Sequence, residues 1–246
     1  MPSPDHESRQ DNVLPSDLRQ ALGRTFVLVR AYNEGPVIGD VVADLCKVFP
    51  NVMVVNDGSS DNTATVLRGL PVAVITHLVN LGGGAAMQTG LTYALKRGAE
   101  YILTFDADGQ HRIEDALALL REILTGKWEV VYGSRFLGEA AVDMPRTRRL
   151  ILKFAVWFSN LTSKATLTDA HNGLRVFSRK AASVINISQS GMAYASEITS
   201  QLVEHGMTIH EIPVQIIYTE YSLRKGQSSS NAMNILIDLL LGRFLK

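Results

Sequence analysis

The sequence predicts an α/β fold, a parallel sheet covered on both faces by helices, from three observations. From Thr25 onward, apolar runs rich in β-branched residues alternate with segments of helical character. The runs are near-continuous rather than alternating in polarity, as in strands buried on both faces. Polar clusters fall where the runs end, and sheets of this kind place their ligands at the carboxyl ends of the strands.

Taken in order, strands are expected at FVLVRAY (26–32), NVMVVNDG (51–58), PVAVITHL (71–78), YILTFDADG (101–109) and WEVVYGSRF (128–136). Helical segments lie between them at 36–49, 60–70, 84–98 and 114–126. The second half adds a basic-then-apolar stretch at 146–165, a segment SRKAASVINI at 178–187, a helix at 194–206 and a strand at 208–221. A loop, SLRKGQSSS (222–230), leads to a last apolar helix at 231–246. Residues 1–23 are polar, carry no periodicity and read as a flexible tail, so the domain is expected over 24–221, with 222–246 as a loop and an amphipathic helix.

The 246 residues are 46% hydrophobic, enough for one sizeable core. Lys plus Arg and Asp plus Glu both total 24, so no global field favours nucleic acid and local clusters must carry any charge-driven function. Cys46 alone excludes an intramolecular disulfide framework and fits a reducing cytosol. The polar N-terminus lacks the apolar core of a signal peptide, and no apolar stretch has the ~18–20 residues that span a bilayer.

Asp106 and Asp108 stand one residue apart just past the strand YILTF, an oxygen-rich pair suited to Mg²⁺ or Mn²⁺. Such an ion would stabilise charge on a departing diphosphate. Gln110 and His111 follow and could add a ligand or touch substrate; a solvated turn would also explain the cluster. Asp57 ends the second run and could accept from a nucleobase N–H or a ribose hydroxyl, while Asp61 could cap the helix beginning near Asn62. Tyr32 could stack on a base or simply pack at a strand end, and Glu34 could accept from base or ribose. Asn80, Leu81, Gly82, Gly83 and Gly84 enter a helix with bare amides that could cradle phosphate.

The ordered set AYNE, VVNDGSSD, NLGGGAAMQTGL, DADGQH and GSRF resembles the family 2 glycosyltransferases, over roughly residues 25–230. DAHNGLR (169–175) and RKGQS (224–228) make the polyprenyl-phosphate branch, similar to dolichol-phosphate mannosyltransferase, the nearest resemblance. The resemblance implies a GT-A fold, Rossmann-like, with a mixed sheet flanked by helices in a single domain. It further implies that Tyr32, Glu34 and Asp57 hold the nucleoside and that Asp106 faces ribose and diphosphate. On the same resemblance, Asp108 and Gln110, together with Asp106, would bind the metal. Arg135 and Arg175 face the diphosphate or acceptor phosphate, and Arg224 with Ser228 closes over the donor. Three positions depart from the relatives' usual residues: Gly83 for Lys, Asn172 for Ser and Ser229 for Lys.

A phosphate acceptor fits this residue set. A phosphate monoester has a second pKa of about 6 and is already an anion at neutral pH, so it needs cations to position it and no dedicated base. The expected reaction is inverting transfer from a UDP- or GDP-sugar to a polyprenyl phosphate. Transfer to a sugar hydroxyl is the alternative, and would need a carboxylate base such as Glu197 or Asp169. A nucleotidyltransferase is disfavoured because AYNEGP stands where its glycine-rich basic loop would be, and a non-catalytic module because Asp106, Asp108 and Gln110 are intact. A lipid acceptor also implies a peripheral location on the cytoplasmic membrane face. Segments 146–165 and 231–246 suit interfacial helices, or else sheet packing or dimerisation. By analogy, a small membrane-protein partner would help anchor the enzyme.

Overall fold

The computed structural model describes residues 15–137, 156, 160, 165–169, 172–191 and 193–217. Strands β1 (Thr25–Ala31), β2 (Asn51–Asn56), β3 (Ala73–Thr76), β4 (Tyr101–Asp106), β5 (Val130–Ser134), β6 (Arg175–Ser178) and β7 (Ile209–Pro213) form one sheet in the order β3-β2-β1-β4-β6-β5-β7. β1 pairs in parallel with both β2 and β4, so the chain runs outward from β1 in one direction and resumes on its other side. In sheets of this kind ligands bind beyond the carboxyl ends of the strands at such a reversal, here β1 and β4.

The sheet is mixed, as the family resemblance implies, rather than wholly parallel. β6 runs antiparallel to both β4 and β5, with Arg175 opposite Thr104 and Tyr132. The connection after β5 brings the chain back to the edge it left, so β6 starts where a parallel strand would end. An apolar run such as LRVF fixes burial and not direction.

Helices cover both faces. α1 (Ser16–Arg24), α2 (Gly35–Cys46), α3 (Thr63–Leu67) and α5 (Ile113–Ile123) share a core with Val27, Val29, Leu103 and Phe105. α4 (Gly83–Lys96), α6 (Arg179–Ser183) and α7 (Tyr194–Glu204) pack on the opposite face against Leu28, Ile102, Tyr132 and Phe177. Strand alternation therefore decides to which side each side chain belongs. Observed elements are mostly shorter than expected: β2 stops at Asn56 and β4 at Asp106, where the chain leaves the ladder for the polar turns.

The domain begins earlier than the polarity of the N-terminal stretch suggests. Within the segment expected as tail, Ser16–Arg24 is a helix that buries Leu18, Ala21 and Leu22, with Pro15 at its N-cap. Three apolar residues at i, i+3 and i+4 were enough to dock it, though its polar remainder hid the period. The segment 146–165 lies almost wholly outside the described residues, and the expected loop and helix at 222–246 lie outside them altogether. No helix among the described residues is long and apolar enough to cross a membrane.

Because Leu18 is buried in the α1–α2–α5 core, Leu18→Ala is expected to cost about 2–4 kcal/mol of unfolding free energy. Urea denaturation checks this; a change below about 0.5 kcal/mol would place α1 outside the cooperative unit.

Candidate functional site

Asp106 is the last residue of β4, and Arg30 of β1 is its direct partner in the parallel ladder. Arg30 Nη2 donates to Asp106 Oδ1 at 2.8 Å, while Nη1 donates to the Tyr194 hydroxyl at the start of α7. His111 Nε2 lies 3.1 Å from Asp106 Oδ2, and its ring packs edge-on against Phe105. Burial alone would raise the Asp106 pKa, but the bonds and charges of His111 and Arg30 outweigh it and hold the carboxyl well below the usual range. Residue 173 must be glycine for this arrangement, since a Cβ there would stand 1.9 Å from Asp106 Oδ2.

Asp108 differs. Burial, then the neighbouring charge of Asp106 and a smaller contribution from Glu34, pushes its carboxyl up to about 6. Its Oδ1 accepts the Gln110 N–H at 3.1 Å. Two inequivalent carboxylates thus stand side by side, one held by Arg30 and His111 and one crowded by anions. Among the described residues no three His, Cys, Asp or Glu side chains converge as a ready-made cage. A hard divalent ion shared with substrate phosphates needs only one or two carboxylates, so the pair fits such an ion, with Asp108 the better ligand. Asp106, expected in the metal set with Asp108 and Gln110, has one oxygen facing Arg30 and the other facing His111. His111, expected as a ligand or substrate contact, instead bears on Asp106, and its Nδ1 is buried with no hydrogen-bond partner among the described residues. The turn is tied to the chain after β7, where Ile217 N donates to the Gln110 carbonyl at 2.9 Å.

Several expected binding residues turn out to hold loops. Asp57 is buried, accepts the Leu81 and Gly82 amides at 2.9 and 2.8 Å, and lies 2.7 Å from His77 Nδ1. It shapes the loop around Asn80 rather than standing open to a nucleoside, because amides without a ladder partner need an acceptor. The glycines of that loop serve close approach more than a phosphate cradle. Gly82 has φ +95°, and Gly84 lies so near Gln189 that a Cβ would stand 1.8 Å from its carbonyl oxygen. Asp61 accepts from both Thr63 N and Gly35 N, joining the starts of α3 and α2. Tyr32 remains an exposed aromatic beyond β1, and Glu34 precedes α2 near Asp108.

Arg135 and Asp169 form a two-pronged pair, Nε–Oδ2 2.6 Å and Nη2–Oδ1 2.7 Å, with the Arg135 amide on the same carboxylate at 3.1 Å. Glu211 of β7 accepts the Thr168 and Asp169 amides at 2.7 and 2.9 Å and so fixes Asp169. Arg175 lies in the interior over the ring of Tyr132, with Nε donating to the Asn172 carbonyl at 2.9 Å. It ties the 172–175 turn to the interior; its expected role was to face a phosphate. The unusual Asn172 has a local function, accepting the Leu174 amide at 2.9 Å. Glu197 accepts the Ser188 and Gln189 amides and the Ser188 hydroxyl, pinning the segment that overlies α4. Arg224 and Ser228 lie outside the described residues.

The sequence reading missed the roles of Arg30, Tyr194, His77 and Glu211. A basic residue inside the apolar run FVLVRAY was a signal for Arg30, since a charge in a buried strand requires a partner. The others act through tertiary contacts that no local pattern marks.

The sequence model of glycosyl transferase family 2 matches residues 26–185. A UDP-N-acetylglucosamine–dolichyl-phosphate N-acetylglucosaminyltransferase of Methanococcus voltae is 31% identical over 237 residues, covering 88% of this chain and 94% of its own. A polyprenol monophosphomannose synthase of Mycolicibacterium smegmatis is 29% identical over 220 residues, covering 85% and 82%. Among solved structures, glucosyl-3-phosphoglycerate synthase from Mycobacterium tuberculosis, in complex with Mn²⁺, uridine diphosphate and glucosyl-3-phosphoglycerate, is similar with a TM-score of 0.66. It covers 91% of this chain and 81% of its own at 16% identity, a likeness of fold.

The Asp108 carboxyl has a folded value of about 6, above the roughly 3.9 of an unfolded aspartate. Folding therefore takes up a proton at this group between those values, and the contribution of Asp108 to stability falls as pH rises from about 4 to about 6, then levels off. Asp108→Asn lacks this penalty. Without divalent ions it is expected to exceed the wild type by about 1–2 kcal/mol at pH 7.5 and to match it near pH 4. Thermal denaturation in EDTA at the two pH values checks this.

Proposed function

The chain belongs to glycosyl transferase family 2, and from that premise we propose that it moves a sugar from a UDP- or GDP-sugar to a polyprenyl phosphate with inversion. The observation that carries this reading is the crowded Asp108 beside the clamped Asp106 at the carboxyl edge of β4. It suits a divalent ion and a diphosphate, and the relatives named above as dolichyl-phosphate N-acetylglucosaminyltransferase and polyprenol monophosphomannose synthase support the acceptor class.

Asp108 would hold Mg²⁺ or Mn²⁺, with Gln110 adjacent; when bound, the ion supplies Lewis acidity toward the leaving diphosphate. Tyr32 offers an exposed ring to the nucleobase, and Glu34 an acceptor close by. Arg135, aimed by Asp169, meets the acceptor phosphate. A phosphate oxygen attacks the anomeric carbon as the bond to the diphosphate breaks on the opposite face. The attacking oxygen is already anionic, so no residue need remove a proton. Both carboxylates that could serve as base for a hydroxyl acceptor already have duties: Asp169 pairs with Arg135, and Glu197 holds backbone amides. This supports phosphate over hydroxyl. The same reading places the enzyme peripherally at the cytoplasmic membrane face, with Arg224 and Ser228 closing over the donor.

Turnover of radiolabelled UDP- and GDP-sugars with undecaprenyl phosphate, in Mg²⁺, Mn²⁺ or EDTA, tests the reading. An acid-labile lipid-linked sugar that disappears with EDTA and in Asp108→Ala is the expected product. Donor hydrolysis without any lipid product would favour a hydroxyl acceptor. Asp169→Asn releases Arg135 and is expected to lower kcat/KM for the lipid about 10- to 100-fold. Donor KM should move little, as steady-state kinetics with each substrate varied will show.

A further inference from the structure

We propose that Arg30 is a positioning residue that keeps Asp106 out of the coordination sphere of the divalent ion and leaves that ion to Asp108. The inference rests on the metal-dependent reading above. Arg30 and Asp106 are register partners across β1 and β4, and alternation turns both toward the face that carries α4 and α7. The guanidinium occupies Oδ1 at 2.8 Å, while His111 Nε2 faces Oδ2 at 3.1 Å. The backbone of Gly173 closes a further side of the carboxylate, leaving no room even for a Cβ. By contrast, the one hydrogen bond to the Asp108 carboxylate among the described residues comes from the Gln110 amide.

Arg30 is braced for this task. Its side chain is only 15% exposed, Nη1 bonds the Tyr194 hydroxyl, and its guanidinium carbon lies 5.1 Å from the Tyr194 ring centroid. Gly83 also matters here, because a Cβ at that position would lie 3.4 Å from Nη1. A long basic side chain at 83 would bring a second cation against the first. Arginine at 30 and glycine at 83 are therefore parts of one arrangement. A hard cation seeks carboxylate oxygens whose charge is uncompensated, and a guanidinium on Asp106 both compensates that charge and repels the ion.

The test is Mn²⁺ binding to donor-free protein, read from loss of the free-ion EPR signal, with folding checked by circular dichroism. The wild type is expected to bind, and Asp108→Asn to bind at least about tenfold more weakly. Arg30→Met frees Asp106 to join the ion, so it should bind Mn²⁺ at least about threefold more tightly while kcat falls. Arg30→Gln, neutral but able to hydrogen-bond Tyr194, carries the same expectation should the methionine variant not fold. Arg30→Lys keeps the charge and should retain wild-type affinity. A merely structural role would weaken Mn²⁺ binding or leave it alone. Unchanged or weaker binding in a folded neutral variant overturns this inference alone. No Mn²⁺ binding by the donor-free wild type overturns this inference, while turnover that survives EDTA overturns the metal-dependent reading as well.

Discussion

Asp106 and Asp108 place two carboxylates at the end of a buried strand, and the site depends on how the fold tolerates that charge. Close carboxylates repel, and burial removes the water that would screen them. The sheet resolves this by treating them unequally. β1 delivers Arg30 directly opposite Asp106, the turn folds His111 back onto the same carboxylate, and Asp108 is left with its charge unrelieved. A local excess of negative charge is thereby left beside the carboxyl ends of β1 and β4. Its cost in stability belongs to the site and not to the core.

Around that centre, most of the acidic side chains hold backbone. Asp57 takes the amides of residues 81 and 82, Asp61 those at the starts of two helices, Glu197 those of 188 and 189, and Glu211 those of 168 and 169. For Asp57 and Asp61 the cause is that β1, β2 and β3 end at this edge while the chain continues. Loop amides have no ladder partner there, and a buried N–H left unsatisfied costs about 1–3 kcal/mol. Carboxylates offer two acceptor oxygens each and satisfy pairs of them. The loops at this edge are therefore stiffened by the same residue type that the strand-end motifs display.

The architecture was largely legible in the sequence. Near-continuous runs such as NVMVV and YILTF announced buried strands, and the carboxylates after them marked the functional edge. α1 was not legible, because the three buried residues of SDLRQALGR are too few against its polar positions. The direction of β6 was not legible either, since LRVF reads the same both ways. Within the site, the turn of Asp106 and Asp108 was recognisable as a polar strand end, whereas an arginine in LRVF could serve a phosphate or brace the interior, and it lies buried against Tyr132. Both roles satisfy the rule that a buried charge needs partners, and only the position of Tyr132 and the Asn172 carbonyl separates them.

By itself the sequence determined the α/β class, the family, the acidic centre and the edge on which it stands, because those follow from local period, composition and motif order. Only the tertiary structure decided that Arg30 and His111 bear on Asp106 and not on Asp108, that Asp169 pairs with Arg135, and that Asp57 and Glu197 hold loops. Those outcomes depend on strand order and register. Arg30 and Asp106 are 76 residues apart in the chain and become neighbours only because β4 lies beside β1.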